Sequence, residues 1–256
     1  MENVIISDPV TLTASLIAVA FVGLSKGGLG GAFSLLGVPI MALFMPPLQA
    51  AALLLPVYLL MDAVSLWTWR GQWNKNILWQ MVPAALIGIV IGWLTASIVS
   101  DAAVRLLVGI VALGFVAMTV IRARYQSSKT ARGNNSLAAH FWGLLSGFIS
   151  FVAHAGGPTF QIHVMPMRLT PSLYTGTSVV FFAIMNASKI IPYYALGQFD
   201  LQNFSVLIPM LPVAVIATLS GAYIVKRMKA ETFYPFMYSM VAIVSIKLIF
   251  DGISAL

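Results

Sequence analysis

The chain has 256 residues, 60% of them hydrophobic and 8% charged, with a mean hydropathy of +0.94 and a formal net charge of +7. Soluble domains carry about 25% charged residues, so a water-soluble fold is excluded. The absence of cysteine excludes disulfides and thiolate metal sites, and the basic residues, spread over short loops between apolar runs, argue against nucleic acid.

In chain order the apolar segments cover 10–24, 31–45, 48–69, 77–99, 102–121, 138–153, 158–167, 171–195, 201–225 and 233–250. The long ones have about 19 to 25 residues, enough at ~1.5 Å each to cross a hydrocarbon core of about 30 Å. A β-barrel would instead show short alternating strands. The expected fold is an all-α polytopic membrane protein with about 8 to 10 membrane segments. Four segments are short, the two flanking "GLSKGGLGGAF" (23–33) and the two flanking "FVAHAGGPTFQIH" (151–163). They are expected to be broken or re-entrant helices, which need protein or water around the interrupted backbone. A polar stretch, "RARYQSSKTARGNNS" (122–136), divides the chain near its midpoint. The expected organisation is a first transmembrane repeat over 1–121, a basic linker over 122–137 and a second repeat over 138–256.

The halves resemble each other. Gly30-Gly31 matches Gly156-Gly157, Asp62 in "MDA" matches Asn186 in "MNA", "GQW" (71–73) matches "GQF" (197–199), and Pro83 matches Pro209, at offsets of 126, 124, 126 and 126. Such register points to an internal duplication. Arg122, Arg124, Lys129 and Arg132 place the linker in the cytoplasm. Counting spans from there puts Lys26, Arg70, Lys75, Arg168, Lys226, Arg227 and Lys229 on the same side. Glu2, Asp8, Asp101, Asp200 and Asp251 fall outside, with Arg105 the basic exception. Each half then has an odd number of crossings, so the repeats are inverted and both termini lie outside. Inverted repeats with paired broken helices point to a secondary transporter working by alternating access; a channel is the plainer alternative.

The breaks supply the candidate site. Helices starting after Gly30-Gly31, or at Pro158 after Gly156-Gly157, would present free N–H groups and a partial positive charge suited to an anion. The competing reading is close helix packing through small residues. Gly27 and Gly28 belong to the same first break. Lys26 admits two roles, a cytoplasmic anchor or a base in the cavity. His154 in the second break and His163 beyond it are packing histidines or groups touching substrate or a coupled proton. Asp62 and Lys189 are the clearest ionisable groups inside apolar runs. As Lys189 lies one turn beyond Asn186, the repeat mate of Asp62, an Asp62–Lys189 ion pair is expected, either static or opened by a proton or an anion. Thr159 and Gln161, with Thr175, Thr177 and Ser178 of "LYTGTSVV", can complete an oxyanion site at low charge. His154, His163, Met165 and Met167 form a sparse soft-ligand set, and a metal-cation transporter is the least favoured reading. No Walker sequence and no acid–base constellation is present, so neither an enzyme nor a cofactor is expected.

The pattern resembles the sulfite exporter TauE/SafE family of bacterial membrane permeases. The resemblance rests on "GLSKGGLGGAF…VP", "PLQAAALLLPV" and "GQWN" in the first half, and on "GLLSGFISFVAHAGGPTFQ", "TPSLYTGTSVVFFAIMNASKIIPYYALGQFD" and "PMLPVAVIATLSGAYI" in the second. It implies an inner-membrane carrier of sulfite, sulfoacetate or related organosulfur and organic anions, an exporter driven without ATP by the proton gradient. Lys26, Gly27, Gly28, Gly30, Gly31, His154, Gly156, Gly157, Thr159, Gln161, Thr177, Ser178, Asn186 and Lys189 are the expected substrate-binding residues, with Asp62 and His163 for coupling.

Overall fold

The structure, a computed structural model, describes residues 9–29, 37–42, 47–95, 98–125, 133–152, 155–195 and 207–255. Among these residues every regular element is helical. In chain order they are α1 (Pro9–Leu24), α2 (Gly37–Ala42), α3 (Pro47–Thr68), α4 (Lys75–Thr95), α5 (Asp101–Tyr125), α6 (Ser136–Val152), α7 (Gly157–Val164), α8 (Pro171–Ser188), α9 (Ile190–Ala195), α10 (Met210–Arg227) and α11 (Ala230–Ser254). Five described stretches are long and apolar enough to cross a bilayer: Pro9–Leu29, Lys75–Thr95, Ala102–Ile121, Met210–Arg227 and Ala230–Ser254. Their outward faces carry bare Trp79, Leu94, Leu107, Ile216 and Phe250, whereas Ser15, Ser65, Asp62, Thr177, Lys189, Thr218 and Ser245 are buried. Apolar outside and polar inside is the distribution that a hydrocarbon solvent selects.

Local chemistry sets the ends. Asn74 accepts from the N–H groups of Asn76 and Ile77 at the start of α4, Asn135 accepts from Ala138 N–H at the start of α6, and Thr170 caps α8 ahead of Pro171. These are the side chains that best satisfy the orphan amides of a first turn. Gly71, at φ 75°, makes the turn between α3 and α4. The first segment runs from Pro9 to a kink at Gly28, where the backbone leaves helical φ/ψ, so the expected break falls within Ser25–Leu29. Helix α5 runs to Tyr125, into the polar linker, because loss of hydropathy marks the edge of the lipid and not the end of backbone hydrogen bonding. Helix α10 begins at Met210, after Pro209, whose ring cannot donate to a preceding turn; residues 201–206 of that apolar segment lie outside the described residues.

Packing interleaves the halves. Helix α4 lies along α6, and its repeat counterpart α10 lies along α1; α4 also touches α8, and α10 touches α3. Two further contacts between the halves, α3 with α8 and α5 with α11, join elements that the sequence landmarks match. Exchanging one half for the other leaves this set of partners unchanged. Both matched pairs are antiparallel. Gly176 and Thr177 near the start of α8 meet Gln72 and Asn74 just past the end of α3, while Asn186 near its far end meets Asp62. On α5 and α11, Gly109 faces Ser245 and Ile249, while Gly252 faces Ala102 and Leu106. Glycines set the closeness of the crossed pairs. A Cβ at Gly88 or Gly147 would overlap the backbone oxygen of Leu144 or Ala85 across α4 and α6, and one at Gly27 would overlap that of Thr218 on α10. This is the small-residue packing of membrane helices. Arg105, the basic residue on the acidic side, lies 3.9 Å from Asp251, which also takes Lys247 at 2.6 Å.

Candidate functional site

The first break forms at Gly28, whose φ of 145° is open to glycine alone. The π-turn around it leaves carbonyls short of helical partners, and α3 supplies them. Ser65 Oγ donates to the Lys26 carbonyl at 3.0 Å, and Trp69 Nε1, one turn on, donates to that of Gly27 at 2.9 Å. A Cβ at Gly28 would meet the Thr175 methyl at 2.9 Å and Val225 at 3.1 Å, so α8 and α10 close around the turn. The Thr175 hydroxyl is buried beside it without a hydrogen-bond partner among the described residues.

The turn aims Lys26 inward. Its ammonium donates to Asp62 Oδ1 at 2.6 Å and sits 5.2 Å from the centre of the Tyr58 ring. Asp62 Oδ2 accepts from Asn186 Nδ2 at 2.8 Å, so the repeat mates touch directly. Lys189, buried at 4% exposure, donates to both the carbonyl and the Oγ of Ser150, at 2.7 and 2.6 Å. The expected Asp62–Lys189 pair is therefore not formed: Asp62 takes Lys26 as its cation, and Lys189 is held by the end of α6. Asp62 and Asn186 face each other across α3 and α8, whereas Lys189 is the residue that closes the end of α8 and reaches Ser150 at the end of α6.

Ser65 and Ser150 are the partners that the sequence reading did not select. A signal for them exists. The 124-residue spacing of Asp62 and Asn186 also carries Lys26 onto Ser150 and Ser65 onto Lys189. The two hydrogen bonds, Ser65 to the Lys26 carbonyl and Lys189 to the Ser150 carbonyl, each span 39 residues.

The second break lies beside this centre. Helix α7 starts at Gly157 with Pro158 in its first turn, and the Gly156 carbonyl accepts from both Ser146 Oγ at 2.8 Å and Thr159 Oγ1 at 2.9 Å. Gln161 is buried on α7. Thr177 accepts from Asn74 N–H at 2.9 Å and donates to Leu173 O, tying α8 to the α3–α4 turn rather than to the charged centre. Ser178 follows it, half-buried. His163 Nε2 lies 3.3 Å from Asn134 Oδ1, and Asn134 donates to Gln80, so this histidine belongs to the linker edge of α4 and α7. Gly30, Gly31 and His154 lie outside the described residues, as does the "GQF" turn.

A helical bundle that exposes apolar side chains and buries an ammonium–carboxylate–amide centre between two interrupted helices is, in class, a multi-pass membrane permease. The chain belongs to the sulfite exporter TauE/SafE family, whose profile matches residues 15–248. Searches of curated proteins and of solved structures returned no match.

Proposed function

We propose that the protein is a secondary transporter that exports small anions, sulfite, sulfoacetate or related organosulfur and organic anions, across the bacterial inner membrane by alternating access. The observation that carries this reading is the centre itself, where Lys26 and Lys189 are buried around one carboxylate, Asp62. Isolated charge inside a membrane protein is costly, so an excess of buried cation is best explained by an anion that visits it. The family membership supplies the sulfur chemistry. The antiparallel mates α3–α8 and α5–α11 and the exchangeable partner set support inverted repeats, the arrangement in which two halves trade conformations about a central site.

The remaining expected site residues enter this reading as follows. The glycines of both breaks, with Thr159, Gln161, Thr177 and Ser178, line the route and its end contacts. Asp62 is the coupling group, faced by Lys26 and Tyr58, and His163 is the second candidate. The linker is cytoplasmic and both termini are periplasmic, in keeping with Arg70, Lys75, Lys226 and Arg227 at the linker end of the bundle. As the chain lacks cysteine, Gly133→Cys should react with an impermeant maleimide only after lysis and Ser254→Cys in intact cells; the reverse pattern refutes the orientation.

Reconstitution in proteoliposomes tests the function. Labelled sulfite or sulfoacetate should move saturably, faster under an imposed pH gradient, and Asp62→Asn should lose the gradient response. Absence of flux for every small anion refutes transport, and flux that never saturates replaces the carrier with a channel.

A further inference from the structure

The two halves hold their ammonium groups on exchanged partners. In the first, the ammonium sits on the broken helix (Lys26) and the hydroxyl on the long helix (Ser65). In the second, the hydroxyl sits on the broken helix (Ser150) and the ammonium on the long helix (Lys189). Both long-helix groups donate to the backbone carbonyl of their partner, and the Asp62–Asn186 hydrogen bond joins the halves between them. Only one member of that central pair is charged. Among the described residues the centre thus contains two ammoniums and one carboxylate.

The charges are distributed unequally. Lys26 is neutralised by Asp62 at 2.6 Å. Among the described residues Lys189 donates only to the neutral oxygens of Ser150, which leaves one N–H of its ammonium form unused and no carboxylate paired with it. Ser150 Oγ accepts from Lys189, and no described residue accepts its own proton. Lys189 and Ser150, 2.6 Å apart, therefore keep one N–H and one O–H as neighbouring donors, the kind of group that charge-assisted oxyanion binding uses. The deficit is one negative charge. We propose that the centre accepts one negative charge at a time: of the anions named above it carries the singly charged ones, hydrogensulfite or a singly charged sulfonate or carboxylate, and not doubly ionised sulfoacetate, with the cargo anchored on Lys189 and Ser150 and Asp62 setting the limit by cancelling Lys26. This rests on the anion-carrier reading and adds the charge state of the cargo to it.

Charge variants test it. Methanesulfonate, with one charge, and sulfate, with two, are titrated at matched ionic strength against the purified full-length protein, with calorimetry and thermal stabilisation as readouts. The wild type should prefer methanesulfonate by about tenfold or more, the scale of one charge-assisted contact. Lys189→Gln should lose that binding, Asp62→Asn should turn the preference toward sulfate, and Asp62→Asn with Lys189→Gln should regain methanesulfonate binding, with Lys26 as the released anchor. The regain excludes misfolding as the reason for the Lys189→Gln loss. Equal binding of the two anions by the wild type, an unchanged preference in Asp62→Asn, or a double variant no better than Lys189→Gln overturns the proposal. Failure of the wild type to bind any anion removes the anion-carrier reading itself, whereas binding without charge preference removes only the monoanion.

Discussion

Lys26 and Asp62 are worth more as a pair than either is alone. Each is buried, with side-chain exposures of 12% and 10%, so removal of one leaves the other as an unpaired interior charge. Asp62→Ala should therefore lower stability by about 3–5 kcal/mol, and adding Lys26→Met should return most of that loss. Unfolding in detergent measures both, and equal losses in the single and double variants would show that the ion pair carries no such coupling. Asp62 and Lys189 stand out in the sequence because ionisable groups inside apolar runs are rare and each has a reason to be there, whereas Lys26 stays open between anchor and cavity until the structure places it on Asp62. Which cation Asp62 takes was not legible. The sequence landmarks match it with Asn186, but the choice between Lys26 and Lys189 turns on the kink at Gly28 and on where α8 ends, and composition encodes neither.

At the level of elements, the glycines fall into two groups. Gly28 bends the chain, while Gly27, Gly88, Gly143 and Gly147 let helices of opposite halves touch. The close-packing reading of the first-break glycines thus holds at Gly27, while Gly28 makes the kink. Gly147→Ala would drive a methyl into the Ala85 carbonyl and should cost about 1–3 kcal/mol by overpacking. Gly114→Ala, on the open face of α5 where nothing lies within 4 Å, should be neutral or gain up to about 1 kcal/mol of helix propensity. Thermal unfolding of the two variants decides it; equal shifts would mean that α4 and α6 are not held at backbone contact. Helix existence was legible throughout, since apolar runs of this length have few alternatives. Helix ends were less so: α5 outruns its apolar segment.

For the whole molecule, the crossed pairing of α4 with α6 and α10 with α1 makes each half the scaffold of the other. A rearrangement in one half must then be answered in the other, as alternating access about a shared centre demands. Four landmarks in register point to a duplication in the sequence, whereas the interleaving was not legible, because a repeat states which elements correspond and not which ones touch. The account's central claim is that this shared centre carries an anion from one side to the other. Counterflow in proteoliposomes tests it most directly. Vesicles loaded with unlabelled sulfite should take up external labelled sulfite faster than empty ones and transiently above equilibrium, and Lys189→Met should abolish the overshoot. Uptake that is indifferent to internal sulfite, or an overshoot that survives Lys189→Met, would contradict the account.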